Sequence, residues 1–169
     1  GVPETPLKAE DVTSLPQVGI DTERIRVHTA NYYNCMLRLD QNVGLILDKL
    51  EKLGKADNTL VIFTTDHGAQ FSRGKISIYE GGLRVPLMMR WPGQIAPNQV
   101  RSELISHIDL LPTILDATEE NSPKGLPGKS ALKLLKNENQ DRDYLFAEWC
   151  SAGVPSYIPQ RSVRDNRYK

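Results

Sequence analysis

Two adjacent side chains, Asp66 and His67, offer the most pointed chemistry in the chain. A carboxylate supplies anionic oxygen and a neutral imidazole supplies nitrogen, a donor pair suited to a divalent cation that accepts both. They stand at the end of the apolar, β-branched run Leu60-Val61-Ile62-Phe63-Thr64-Thr65, and Gly68 follows, where the chain can turn sharply. Ligand sites in α/β sheets gather beyond the carboxyl ends of strands, which is where this pair falls. Taken alone, each residue has a plainer reading. Asp66 also fits a turn acid, and His67 fits a structural histidine bonded to a carbonyl, or a general base. Eight residues on lies Lys75, inside Gly74-Lys75-Ile76-Ser77-Ile78-Tyr79-Glu80-Gly81-Gly82-Leu83-Arg84-Val85-Pro86. A lone lysine in a loop is more often a solvated surface group than a ligand.

The elements that must hold these residues are legible from periodicity. A long helix is expected over Thr22–Leu53, because Tyr32, Met36, Leu39, Val43, Ile46, Leu50 and Leu53 recur at alternating spacings of four and three. That stripe reads as a face packed on a sheet, and Gly54 follows it as a C-terminal cap. Strands are expected at Leu60–Thr65 and Pro86–Trp91, both buried on two faces as in a parallel sheet. Between them, 68–85 is a loop. Asp109–Ala117 is expected as a short helix with Asp109 near its N-cap and Pro112 in its first turn. Ser130–Lys136 is a second short helix and 137–143 a charged turn. Tyr144–Trp149 and Gln160–Asp165 read as strands joined through Gly153, Pro155 and Pro159. Residues 1–20, broken by Pro3, Pro6, Pro16 and Gly19, read as irregular.

Composition narrows the classes. The 169 residues carry 21 Lys+Arg against 21 Asp+Glu, so there is no basic footprint for nucleic acid or an anionic membrane. Apolar and charged fractions are those of a globular protein. No apolar run reaches membrane-spanning length. Cys35 and Cys150 form neither a disulfide framework nor a zinc-site spacing. His28 and His107 are read without a catalytic role, with His107-Ile108-Asp109 packing the start of a helix.

The run Thr64–Gly93 resembles the second signature region of the sulfatases of the alkaline-phosphatase-like superfamily, nearest to the heparan N-sulfatase-like group. Tyr32-Tyr33, Ile108-Asp109-Leu110-Leu111-Pro112-Thr113 and Gln160-Arg161-Ser162-Val163-Arg164 follow the same order. The resemblance implies an α/β fold, part of an alkaline-phosphatase-like sandwich with a mainly parallel central sheet. Residues 1–140 would be the C-terminal part of that core and 141–169 the start of a small antiparallel subdomain.

It further implies that Asp66 and His67 bind a divalent metal, Ca2+ in the first instance, with Mg2+ or Mn2+ as alternatives. Lys75, and His67 beside it, would be catalytic residues. Lys75 would bind the sulfate group, where a fixed ammonium stabilises charge developing on the sulfate oxygens. Arg161 would contact substrate.

The reaction implied is hydrolysis of a sulfate ester or sulfamate on a small molecule or saccharide by a formylglycine nucleophile, made from the cysteine of a C-x-P-x-R motif. Neither Cys35 nor Cys150 stands in that context. We therefore read the chain as the central-to-late part of a longer enzyme, partnered by the rest of its parent and inactive by itself. A periplasmic, secreted or lysosomal location is expected from the resemblance. Two readings stand beside this one. A phosphodiesterase or phosphonate hydrolase shares the Asp-His corner, and a non-catalytic module shares the scaffold. A two-metal mutase needs more histidines than the three present.

Overall fold

Thr22 is extended, and its hydroxyl accepts the Ile25 N–H at 3.4 Å, which starts α1, Glu23–Lys52. Glu23 in the first turn and Lys49 and Lys52 in the last complement the helix dipole. The helix closes where Leu53 N donates to Lys49 O and Gly54 N to Glu51 O. Its bounds match those expected from the stripe to within a residue. The computed structural model describes residues 3–136, 142–150 and 159–169. The expected charged turn lies mostly outside them, as do Gly153 and Pro155.

The chain divides into two compact units, one of Gly1–Asp57 with Asp66–Val85, the other of Asn58–Thr65 with Pro86–Lys169. In the first, the N-terminal segment carries two single 3-10 turns, Ala9–Asp11 and Pro16–Val18, and is otherwise irregular. It is tied to α1 by a reciprocal amide pair: Leu7 N donates to Asn34 Oδ1 at 2.8 Å, and Asn34 Nδ2 donates to Leu7 O at 2.9 Å. Ahead of the helix, Arg26 donates twice to Asp21, at 3.0 and 2.8 Å, and so holds that carboxyl below its ordinary range. Tyr32 meets Phe71 edge to face, with ring centroids 5.6 Å apart, and this joins α1 to the 66–85 loop. The one short helix in that loop is α2, Glu80–Leu83.

The apolar stripe of α1 is only partly covered. Thr29 and Ala30 are buried, whereas Met36, Leu39, Ile46 and Leu53 are exposed, Ile46 at 68%. Much of the face expected to pack on a sheet is thus open to solvent within this chain. The packing partners of the first unit, the N-terminal segment and the 66–85 loop, engage the N-terminal half of the helix, through Asn34 and Tyr32.

The second unit holds the strands. β1, Val61–Thr64, pairs with β2, Leu87–Arg90, in register Val61↔Arg90 to Thr64↔Leu87. The pairing of these two strands is antiparallel rather than parallel, and both are half-buried or exposed rather than buried on both faces. Twenty-two residues separate Thr64 from Leu87, and the chain leaves and re-enters at the same end, which sets the strands head to tail. β3, Leu145–Trp149, and β4, Gln160–Arg164, form a second antiparallel pair. α3, Leu110–Ala117, and α4, Leu132–Leu135, lie between the two sheets in sequence.

The packed centre of this unit is small and partly polar: Leu104, Asp109, Thr113, Ala131, Leu132 and Leu134. Asp109, 1% exposed, accepts from Ser106 N at 2.8 Å on Oδ2, and from Lys129 N at 2.8 Å and Arg142 Nη2 at 2.6 Å on Oδ1. The Thr113 hydroxyl donates to Asp109 O and accepts the Ala131 N–H at 2.8 Å. One carboxylate thus joins the cap of α3, the approach to α4 and Arg142, three residues ahead of β3. Removing one member of a buried ion pair strands the other in a low-dielectric setting. Asp109→Ala is therefore expected to lower the free energy of unfolding by about 3–5 kcal/mol. Thr22→Ala, which removes only a partly exposed cap, is expected to cost about 1 kcal/mol. Urea unfolding of the two variants measures the difference.

Candidate active site

The 66–85 segment is folded on itself by backbone contacts that exclude side chains. Gly68 N donates to Gly82 O at 3.0 Å, Gly74 N to Phe71 O at 2.9 Å, and Lys75 N to Ala69 O at 2.9 Å. A Cβ on Gly68 would lie 1.6 Å from Gly81 O, and one on Gly74 would lie 2.1 Å from Ala69 O. The glycines of the motif are there because backbone meets backbone at those points. Ser77 adds a side-chain tie, its Oγ donating to Gly74 O at 2.7 Å.

Within this loop Lys75 is exposed and flanked by strain. Arg73 and Ile76 both adopt left-handed backbone, at φ 60° and 66°. For a β-branched residue such as Ile76 that conformation costs on the order of 1–3 kcal/mol. Among the described residues no ion pair engages the Lys75 ammonium. The result is a cation on a backbone that is held rather than free.

Asp66 and His67 are brought together. His67 N donates to Asp66 Oδ1 at 3.0 Å, which turns the carboxylate toward the ring, and Asp66 Oδ2 lies 3.3 Å from His67 Nε2. His67 Nδ1 is 2.8 Å from Gly68 O, a partner that can only accept. The proton of a neutral ring therefore sits on Nδ1, and Nε2 presents its lone pair beside the carboxylate. A histidine whose second nitrogen donates to a carbonyl is the arrangement found at metal sites. Two ligands at right angles on a cation with bonds of about 2.3 Å lie about 3.3 Å apart, so the separation of Oδ2 and Nε2 fits a shared cation. Among the described residues no group of three or more His, Cys, Asp or Glu converges in a way that could hold a metal ion.

Arg161 belongs to the second unit. It stands on β4, exposed, and its guanidinium donates to Glu148 across the β3–β4 ladder at 3.2 and 3.4 Å. His107 is in the same unit, at the 3-10 turn His107–Asp109 that leads into α3, as expected. Its Nε2 is 3.0 Å from Thr64 Oγ1, a contact that no local sequence pattern announces because 43 residues separate the two. Cys35 and Cys150 are free and exposed.

Comparison with known proteins bears on this loop directly. The family model "Sulfatase" matches residues 6–120, which include α1, β1, the whole 66–85 loop and α3. The chain belongs to the sulfatase family. It is 30% identical over 168 residues to an ulvan-active sulfatase of Formosa agariphila, a match covering 98% of this chain and 28% of that protein. The chain thus spans under a third of that sulfatase's length. A solved structure of a protein bound to its substrate D-glucosamine-2-N,6-O-disulfate superposes with TM-score 0.74 at 25% identity, covering 85% of this chain and 30% of that one. The phosphonate monoester hydrolase of Silicibacter pomeroyi superposes with TM-score 0.70 at 31% identity, over 75% of this chain and 26% of that one. The fold is that of the alkaline-phosphatase-like α/β class, as the motif order implied. No helix among the described residues is long and apolar enough to cross a membrane.

The backbone packing of the sulfatase loop makes a sharp expectation. Gly68→Ala must displace Gly81 and with it the Lys75 turn, and is expected to cost at least about 2 kcal/mol. Gly44→Ala, in the middle of α1 with nothing within 4 Å of the added carbon, is expected to stabilise by about 0.5–1 kcal/mol. Paired thermal melts of the two alanine variants check both signs.

Proposed function

We propose that the protein containing this chain hydrolyses a sulfate ester or sulfamate on a sulfated saccharide, with Asp66 and His67 as metal ligands and Lys75 as the group that binds the sulfate. The observation that carries the reading is the loop itself. An oxygen and a nitrogen ligand stand 3.3 Å apart, and eight residues after His67 an unneutralised ammonium rides on a backbone fixed by glycine contacts. The glucosamine disulfate complex of a structural neighbour and the ulvan activity of a relative support a saccharide as the substrate class.

Asp66 and His67 would hold the cation through Oδ2 and Nε2, with Ca2+ the first choice and Mg2+ or Mn2+ as alternatives. A divalent cation at such a site polarises an oxygen of the transferring group and orients it. Asp66 Oδ1 keeps its bond to His67 N, which holds the carboxylate plane while Oδ2 serves as ligand. The Gly68 carbonyl keeps the His67 proton on Nδ1. Lys75 supplies fixed positive charge to the sulfate oxygens as negative charge shifts among them. Because the turn is formed before substrate arrives, that charge needs no reorganisation at the moment of reaction. Arg161 would contact substrate in this reading, with its Nε and Nη2 already engaged by Glu148. The nucleophile in this reading is a formylglycine, which neither cysteine of this chain is placed to become. A secreted, periplasmic or lysosomal setting goes with the same reading.

The likeness to a phosphonate monoester hydrolase favours a second reading, in which the same loop serves a phosphonate or phosphodiester. Turnover of the full-length protein on an aryl sulfate, a sulfated glucosamine and an aryl phosphonate separates the two. A preference for the phosphonate overturns the sulfatase assignment. In the full-length enzyme Lys75→Ala is expected to lower kcat by roughly a hundredfold or more, about 3 kcal/mol in the barrier, with little change in melting temperature. Asp66→Ala is expected to weaken calorimetric Ca2+ binding. Near-normal kinetics for Lys75→Ala would make it a surface residue.

A further inference from the structure

The loop that bears Asp66, His67 and Lys75 leaves β1 after Thr64 and returns to β2 at Pro86. At that neck the Thr64 hydroxyl links the two stems. Thr64 Oγ1 lies 2.8 Å from Pro86 O and 3.0 Å from His107 Nε2. Two carbonyls, which only accept, lie within reach of the hydroxyl, Pro86 O at 2.8 Å and Thr65 O at 3.4 Å, and the single proton of Thr64 goes to the nearer, Pro86 O. The hydroxyl lone pair then faces His107, which must donate from Nε2–H. The bonds run in one direction: His107 Nε2–H to Thr64 Oγ, and Thr64 Oγ–H to Pro86 O.

His107 is delivered to this point by its own anchoring. It follows Ser106, whose N–H donates to Asp109 Oδ2 at 2.8 Å and whose carbonyl accepts the Asp109 N–H at 2.9 Å. Asp109 is in turn held by Lys129 N and Arg142. The ring therefore follows directly on a segment anchored through the buried Asp109 carboxylate. Pro86 has no backbone N–H to give a ladder bond, which leaves the Thr64 hydroxyl as a bond between the stems beyond the last strand pair, Thr64↔Leu87.

We propose that Thr64 and His107 are positioning residues that tie the two stems of the site loop together, and so restrain the ends of the segment that opens with Asp66, two residues beyond Thr64, and His67. The proposal rests on the metal-site reading for its functional consequence, but the clamp itself is a statement about the loop. It requires that a hydroxyl at 64 and an Nε donor at 107 both be present. Thr64→Val keeps the shape and removes both bonds. Thr64→Ser keeps both. His107→Ala removes the outer bond. His107→Gln retains a side-chain N–H of similar reach.

The test uses the full-length protein and two readouts. The first is amide hydrogen exchange without metal at Gly68 and Lys75, whose N–H groups bond to Gly82 O and Ala69 O inside the loop. Thr64→Val and His107→Ala are expected to speed exchange there at least tenfold, while Thr64→Ser and His107→Gln stay within about threefold of wild type. The second is calorimetric Ca2+ affinity, expected to fall about tenfold in the first two variants and to be retained in the other two, in line with residues that orient ligands. Equal exchange in wild type and in folded Thr64→Val and His107→Ala overturns the clamp. Should Thr64→Val fail to fold, the exposed His107 pair decides the matter. Faster exchange in a protein whose wild type binds no Ca2+ upholds the clamp and sinks the metal reading instead. Loss in the alanine variant without rescue by His107→Gln overturns the donor role of His107.

Discussion

The buried carboxylate of Asp109 is the constraint on which the second unit turns. It is nearly inaccessible to water, so both of its oxygens must be met by protein, and three donors from separate stretches of chain meet them. Few apolar side chains are buried around it, and a small apolar core cannot fix the relative placement of short elements. Directional bonds to one anion can. α3 and α4 are eight and four residues long, too short to stand alone, and they are held where the Asp109 and Thr113 bonds put them.

In the first unit the corresponding constraint is the absence of side chains. The 66–85 loop has little regular structure beyond the single turn of α2, yet its backbone is pinned by close contacts at Gly68 and Gly74. Backbone packed on backbone leaves few conformations for Lys75, and the left-handed residues on either side show that the loop accepts strain to keep its course. The Tyr32–Phe71 contact seats this loop on α1. For electrostatic catalysis that rigidity matters more than the number of charges, because a charge that must move into place spends part of its stabilising effect on moving.

The Asp66–His67 corner illustrates how much a neighbour along the chain can do. Adjacent side chains on a strand point to opposite faces, so an Asp-His pair inside β1 would have been split. The strand ends at Thr64, two residues earlier, and Gly68 bends the chain after the pair. Both side chains then reach one point, and the bonds from His67 N to Asp66 and from His67 Nδ1 to Gly68 O fix each of them with groups already at hand.

Much of this was determined by the sequence alone. The helix, the four strands, the two short helices and the family follow from periodicity, turn residues and the motif between Thr64 and Gly93, because each is encoded by residues close together in the chain. So is the pairing of Asp66 with His67. Tertiary structure alone decided the rest. That β1 and β2 run antiparallel depends on where a 22-residue excursion returns, and composition does not specify that. That Asp109 is a buried hub rather than a surface cap depends on Lys129 and Arg142, 20 and 33 residues away. That Arg161 is paired with Glu148 depends on strand register. That His107 meets Thr64 depends on the cap of α3 being anchored first. The exposed stripe of α1 makes the same point from the other side: a 3.6-residue pattern states which face seeks cover, and only packing determines whether cover is there.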